Sequence, residues 1–518
     1  MKNILVFSIC LLFNIKALTQ NQLPIISNKI LNFDAINNTI LINFDLDDVD
    51  NSILEVQCKL FSADATTKNI EIVPDQITGD IGFPIGKGMN KQISIHFNSA
   101  LPYQKLSIVL VALDRESLNI QEIISKVDSN KLKQQVTQLQ GRRNTGNQVF
   151  YDQTREYLFN TLNASAPTRE LNFNTGQYNG KNFEATKLGY EKPATLVLID
   201  AHYDSYSNAP GADDNASGVA GVLEAIRILG DYASKKSIRY ILFDLEEAGL
   251  VGSTYYVTNQ LNTKDSIQGV LNFEMIGFYS EQPNSQDLPT GFNILFPDAY
   301  NQVIANNRKG DFITNVGNTL SYSLRSKFHQ LATSYVPQLK VISLDVPGNG
   351  SIAPDLTRSD HFAFWLKNIP ALMITDAANF RNKNYHTIKD SVQYLNFNFM
   401  SQVTKASIAT LLELAETQHG VSTEFSVDLG TAIQNGVNEK ITVSDINNIL
   451  KLNSTITIND ALIKIYSVSG KLIETHEIDI LSNQVNPLTT IQMPSGIYFI
   501  TLTSDLLKWS GKYFNNGN

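Results

Sequence analysis

Cysteine is nearly missing from this chain: among 518 residues only Cys10 and Cys58 occur. Cys10 falls in a segment that reads as a removable export signal, so the mature chain would hold one cysteine and no internal disulfide. That excludes a small disulfide-stapled scaffold and requires cores large enough to need no staple. Cys58, flanked by Val56 and Leu60 in an alternating segment, reads as a buried strand residue. Positive charge is not in excess either. With 41 Lys+Arg against 50 Asp+Glu, the net charge of −9 argues against nucleic acid or an anionic membrane surface as the main partner. No run of about 20 apolar residues follows the N-terminus, so no transmembrane anchor is expected in the mature chain. Histidines number only seven, and no His-Glu-x-x-His helix is present, which removes the commonest single-zinc protease signature. No Gly-x-Ser-x-Gly elbow occurs, which argues against a serine hydrolase.

What is present divides into segments of different character, and the length suggests about three to four domains. Lys2 followed by the mostly apolar run Ile4 to Phe13 predicts a signal peptide over residues 1–20, cleaved near Ala17-Leu18-Thr19-Gln20. Residues 22–115 carry short period-two strands such as Ile40-Ile42-Phe44-Leu46 and Ile93-Ile95-Phe97, which predict a β-sandwich. The polar stretch Ser125 to Asn147, with Lys131, Lys133, Arg142 and Arg143, reads as a connection or an exposed helix. Beyond it, the strand-like runs Ala194 to Ile199 and Ile238 to Phe243 are mostly apolar rather than alternating, as in a sheet covered on both faces. Between them Val219, Val222, Leu223, Ile226 and Leu229 recur at helical spacing. Strand, helix, strand in that order predicts an α/β domain with a largely parallel sheet over residues 128–418. Met400 to Glu416 reads as its closing helix. A second small β domain is expected over 440–518.

Five short segments of the central region carry acidic or imidazole groups: Ala201-His202-Tyr203-Asp204, Gly211-Ala212-Asp213-Asp214-Asn215, Asp244-Leu245-Glu246-Glu247, Asn272-Phe273-Glu274-Met275 and Tyr385-His386-Thr387. Two imidazoles and several carboxylates form a ligand set that zinc accepts, and a spare carboxylate can carry protons for hydrolysis. His202 and Asp204 share a face of an extended chain, so Asp204 can accept the second ring N–H of the imidazole. Asp214 is the candidate bridge between two metals, in a loop before a helix capped by Asn215 or Ser217. Glu246 and Glu247 follow a strand, where α/β sheets place ligands. Neighbouring side chains diverge there, so Glu247 is assigned as ligand and Glu246 as general base. Taken singly, these residues could be helix caps or solvated pairs, and spacing alone also allows a mononuclear or a structural site.

The order and context of the segments go further. Together with Gly249-Leu250-Val251-Gly252-Ser253, Ser359-Asp360-His361-Phe362 and Pro370-Ala371-Leu372-Met373, they resemble the co-catalytic zinc exopeptidases of clan MH over about residues 145 to 415. That superfamily holds secreted bacterial aminopeptidases, glutamate carboxypeptidases and glutaminyl cyclases. The resemblance implies two zinc ions per chain, one held by His202, Asp214 and Glu274, the other by Asp214, Glu247 and His386, with Glu246 as base. Tyr385 matches a residue that in some relatives donates to the oxyanion. Many relatives carry aspartate where this chain has Glu274, whose extra methylene would have to be absorbed by the strand. The implied substrate is a peptide N-terminus. A single-zinc glutaminyl cyclase and a non-catalytic surface protein are the alternatives. At the other end, Ile463 to Lys471, Pro494 to Ile500 and Lys512-Tyr513-Phe514 resemble the sorting domains read by the type IX secretion machinery. This implies a secreted or surface-attached protein routed through the periplasm, with a carbohydrate-binding or adhesive module as the alternative for that domain.

Overall fold

The computed structural model describes residues 21–429, apart from 35–36, 65–67 and 100. In the C-terminal region it describes the segments 442–446, 449–453, 457–467, 471–481, 485–488, 496–504 and 508–515. The expected signal peptide over residues 1–20 lies outside the described residues. No helix among the described residues is long and apolar enough to cross a membrane.

The chain is multidomain, with a mixed α/β domain at its centre. Its eight-stranded sheet is built on four adjacent parallel strands, Ala371–Thr375, Ser266–Glu274, Lys192–His202 and Lys236–Phe243. The flanks depart from the largely parallel expectation. Asn179–Lys187 and Thr168–Asn174 continue one side antiparallel, and Ile313–Asn318 joins Ala371–Thr375 antiparallel on the other. Parallel strands need both faces covered, which is why their central stretches are mostly apolar rather than alternating. Along Lys192–His202, Val197 and Ile199 enter a core shared with the helices Gly218–Leu229 and Phe397–Leu414. The intervening Leu196 and Leu198 enter a second core with Phe364 and Trp365. All four are fully buried. The side-chain period of two therefore feeds two cores from one strand.

The segment expected as a connection or an exposed helix is a helix with one face packed. Residues Ser129–Leu139 form a helix that buries Leu132, Val136 and Leu139, and Arg143 beyond it is fully buried. The Arg143 guanidinium donates to the carbonyls of Leu139, Gly141, Tyr203, Pro210 and Gly211. A side chain with five donors can hold a loop of that shape where an apolar residue cannot. Backbone carbonyls, however, leave no trace in a sequence pattern.

In the N-terminal region two sheets share one apolar core. One has the order Ile25–Asp34, Thr39–Asp47, Gly88–His96, Gln76–Gly79. Cys58 is buried in that core, on Ile53–Ser62, and burial pushes its thiol up to about 12. The other sheet is completed from far along the chain. Thr417–Asp428 pairs antiparallel with Lys105–Leu113, and its other edge takes Tyr232–Ser234 from the central region. The C-terminal region is strand-rich. Its described strands form a three-stranded and a four-stranded sheet around Ile463, Ile465, Ile480, Ile500 and Leu502.

Candidate metal centre

The three central parallel strands end on the same edge of the sheet, and each delivers a ligand type there. His202 is the last residue of its strand, Glu274 the last of the next, and Glu246-Glu247 follow Phe243 by three and four positions. Asp214 comes from the loop before the helix Gly218–Leu229, and His386 from the loop after Ala371–Thr375. The backbone turns sharply at these points: Leu245, Met275 and His386 have φ of 56°, 54° and 59°. Left-handed conformations are uncommon for residues with a Cβ and gather at functional sites. The peptide between Asp214 and Asn215 is cis. Asn215 acts as the helix cap, its Oδ1 accepting from the N–H groups of Gly218 and Met275. The Ser217 hydroxyl instead donates to the Asp213 carbonyl and accepts from the Ile276 N–H.

All of the predicted ligands are brought together. They fall into two groups whose donor atoms lie within 4.8 Å of one another: His202, Glu246 and Glu274, and Asp214, Glu247 and His386. The Asp214 carboxylate faces both groups, with Oδ1 3.4 Å from His202 Nε2 and Oδ2 3.1 Å from His386 Nε2. Glu274 Oε2 is 3.4 Å from His202 Nε2, and Glu247 Oε2 is 3.2 Å from His386 Nε2. Glu246 Oε2 stands further back, 3.8 Å from His202. Four ligands in a tetrahedron around zinc, at bond lengths of about 2.0–2.2 Å, are separated by roughly 3.3–3.5 Å. The ligand atoms are thus spaced as for a shared cation. His202 Nε2, Asp214 Oδ2 and Glu247 Oε1 are buried without a hydrogen-bond partner among the described residues, while the other ring nitrogen, Nδ1, faces Asp204. Buried polar atoms so placed need a partner, and a divalent ion between them supplies it. The donor set fits zinc.

The electrostatics agree. Burial, added to the neighbouring Asp214 charge, pushes the Glu247 carboxyl up to about 8. Burial also holds Glu246 well above the usual carboxylate range, with His202 opposing and Glu274, Asp360 and Glu247 reinforcing. Burial disfavours the charged His386 ring, but contacts with Asp214 and Glu247 outweigh it and raise the imidazole to about 9.

Around the ligands lies a supporting layer. Asp204 Oδ1 is 3.3 Å from His202 Nδ1, as the spacing predicted. Asp204 also accepts the backbone N–H groups of Glu246 and Glu247, both at 3.1 Å, so one carboxylate sets two ligand segments. The Ser359 hydroxyl donates to Glu274 Oε2 at 2.7 Å. Asp390 accepts from the N–H groups of Asp213 and Asp214. Asp213 turns away from the ligands and accepts from Gly277 and Asn382. His386 is stacked between Tyr206 and Tyr385, each with ring centroids 3.7 Å away. The Tyr385 phenol accepts from Arg358 at 3.0 Å and lines a cavity together with Glu274. Sequence reasoning missed the parts of Ser359, Asp390, Arg143 and Tyr206. Only the first had a signal, its place in the Ser359-Asp360-His361 motif. Asp360 and His361 of that motif are fully buried; burial pushes the former up to about 7 and the latter down to about 4.

A sequence description of peptidase family M28 matches residues 185–411, a stretch that contains every one of these ligands. An Escherichia coli protein, YfbL, is 32% identical over 291 residues, covering 53% of this chain and 84% of its own length. The chain belongs to peptidase family M28. It is thereby a member of a zinc metallopeptidase family. A Pyrenophora tritici-repentis protein titled "Probable zinc metalloprotease" is 27% identical over 45% of this chain, which spans about half (51%) of that relative's length. Aminopeptidase YwaD of Bacillus subtilis is 41% identical over 97 residues, 17% of this chain and 21% of its own. A second description, the secretion system C-terminal sorting domain, matches residues 438–514.

Proposed function

We propose that this M28 peptidase is a secreted aminopeptidase that works with two zinc ions and removes N-terminal residues from peptides. The observation that carries the reading is the pair of donor groups joined through Asp214, with Glu246 withdrawn from the closest contacts. His202, Asp214 and Glu274 would hold one ion, and Asp214, Glu247 and His386 the other. Two ligand groups support two ions over the single ion of a glutaminyl cyclase. When bound, zinc supplies Lewis-acid polarisation of the scissile carbonyl and lowers the pKa of the attacking water.

The chain's own groups do the rest. Glu246 accepts the proton of the attacking water and returns it to the leaving amine, base first and acid second. Tyr385 donates its phenolic hydrogen to the negative oxygen that develops on the scissile carbonyl, while Arg358 occupies the phenol's acceptor side. Asp204 fixes the imidazole of His202 and the backbone of the Glu246-Glu247 pair together. We assign residues 22–115, which supply none of these groups, to a fibronectin-like β-sandwich that takes no part in the chemistry. We assign the C-terminal region, from about 440 to 518, to sorting by type IX secretion. Peptides and that machinery are then the partners.

Glu246→Gln tests the reading. The variant should keep zinc, measured by elemental analysis, and lose nearly all turnover of aminoacyl substrates. Full activity with full metal would remove Glu246 from its role.

A further inference from the structure

A single side chain reaches from a helix to the ends of two ligand-bearing strands. Arg155, on the helix Gln148–Asn163, donates from Nε to the Tyr203 phenol at 3.0 Å and from Nη2 to Asp244 Oδ2 at 2.8 Å. Tyr203 directly follows His202, and Asp244 stands two residues before Glu246. We infer that Arg155 is a positioning residue of the metal centre: acting through Tyr203 and Asp244, it fixes the segment of His202 against the segment of Glu246 and Glu247. The inference rests on the two-zinc aminopeptidase reading above and adds to it a residue outside the ligand set.

The ladder between the two strands ends at the pair His202 and Phe243, so past that point other contacts must hold the segments. Arg155 closes a ring there. The Tyr203 N–H donates to the Phe243 carbonyl at 2.8 Å, Asp244 comes next in the chain, and its carboxylate leads back through the guanidinium to the Tyr203 phenol. The neighbouring strand Asn179–Lys187 is tied into the same ring. Lys181 donates its N–H to Asp244 Oδ2, and its carbonyl accepts the Tyr203 phenol, each at 2.8 Å. Asp244 Oδ1 takes the Tyr151 phenol, and the guanidinium lies over the Tyr151 ring, 3.8 Å from its centroid. Asp204 joins the same two segments by a separate route, through the Glu246 and Glu247 N–H groups.

Net stability is a small part of what such a ring supplies. Tyr151, Tyr203 and Asp244 are each at most 1% exposed. In those surroundings an ion pair returns little beyond the cost of stripping its water. What a guanidinium does supply is direction: its planar fork grips two acceptors at fixed angles, whereas an ammonium is a point charge on a flexible stem. An apolar side chain would fill the space and leave the strand ends unlinked. Metal–ligand distances tolerate about ±0.2 Å, so a slight parting of those ends reaches the zinc site.

The test compares full-length zinc-loaded enzymes and their cobalt(II)-substituted forms. Arg155→Lys keeps the charge but not the fork, and Tyr203→Phe removes only the oxygen that Arg155 Nε grips. Both variants should melt within about 4 °C of wild type. In both, kcat on aminoacyl p-nitroanilides should fall by at least about tenfold while KM stays within about threefold. The visible absorption bands of bound cobalt should shift with it. A purely structural role would lower the melting temperature and leave the kcat of the folded protein and the cobalt bands as in wild type. Wild-type kcat and wild-type bands in either variant would overturn the inference; should one variant fail to fold, the other decides. If the wild type cleaves no aminoacyl substrate, the aminopeptidase reading fails, and the cobalt bands alone decide on Arg155: shifted in the variants they support it, unchanged they reject it. A wild type that binds neither zinc nor cobalt would remove both.

Discussion

Asp204→Asn changes no ligand and almost no volume, yet it should damage the metal centre. The carboxylate is 2% exposed, so water cannot replace what it does. Its two oxygens serve three neighbours: the N–H of Glu246, the N–H of Glu247 and the Nδ1 edge of His202. An asparagine offers one acceptor oxygen and, on its other side, an NH2 that only donates. Whichever way the amide is turned, one backbone N–H of the Glu-Glu pair then meets a donor. Leaving a buried donor unsatisfied costs about 1–3 kcal/mol, and His202 loses its charged neighbour as well. At 1.4 kcal/mol per factor of ten, that corresponds to a loss of roughly 10- to 100-fold in zinc affinity or kcat/KM, the range found for groups that orient metal ligands. Competition with a chromogenic chelator reads the affinity, and aminoacyl hydrolysis at saturating zinc reads the turnover. A D204N enzyme that held zinc as tightly as wild type and turned over as fast would refute the reasoning.

Ser359→Ala removes the hydroxyl bonded to Glu274, and a bond to a charged acceptor is worth about 1.5–3 kcal/mol. Zinc affinity should fall by at least about tenfold while far-UV circular dichroism stays unchanged. A pH effect is expected away from the metal. Burial raises Glu184, but Arg239 and Arg169 more than offset it and bring the carboxyl down to about 2 from 4.5. Because the folded value lies below the unfolded one, its stabilisation is complete above pH about 4.5 and is lost as the pH falls towards 2, amounting to roughly 3 kcal/mol. Denaturant melts between pH 2 and 5 should show that slope in wild type and a flatter one in Glu184→Gln; parallel curves would contradict it.

The ligands were legible because chemistry constrains their type, and parallel strands ending in acid or imidazole announce themselves against apolar runs. His202, Glu274 and the Glu246-Glu247 pair stood out by that contrast, whereas Asp214 and His386 sit in loops and took their roles from the family resemblance. Apart from Asp204, the supporting layer did not stand out, since Ser359 and Asp390 act through hydrogen bonds that any serine or aspartate could make. Arg143 was misread as exposed because its partners are backbone carbonyls, which every residue owns. The parallel heart of the sheet was visible in Ala194 to Ile199 and Ile238 to Phe243. Its antiparallel margins were not, because edge strands such as Thr168–Asn174 carry little apolar patterning.

Thr417–Asp428 lies beside Lys105–Leu113, with Leu113 opposite Gly420. Topologically, the whole catalytic body is a loop bulging from two adjacent ribbons of the first domain. Both of its ends are therefore nailed to one place, which denies it the single-hinge swing that a bead on a string would have. A chain emerging from its N-terminus must hold that first sheet unfinished until the last helix of the enzyme has followed. The sorting tail, coming after the ribbon that closes the sheet, hangs from the end opposite the chemistry in chain order, so clipping it would leave both anchors in place.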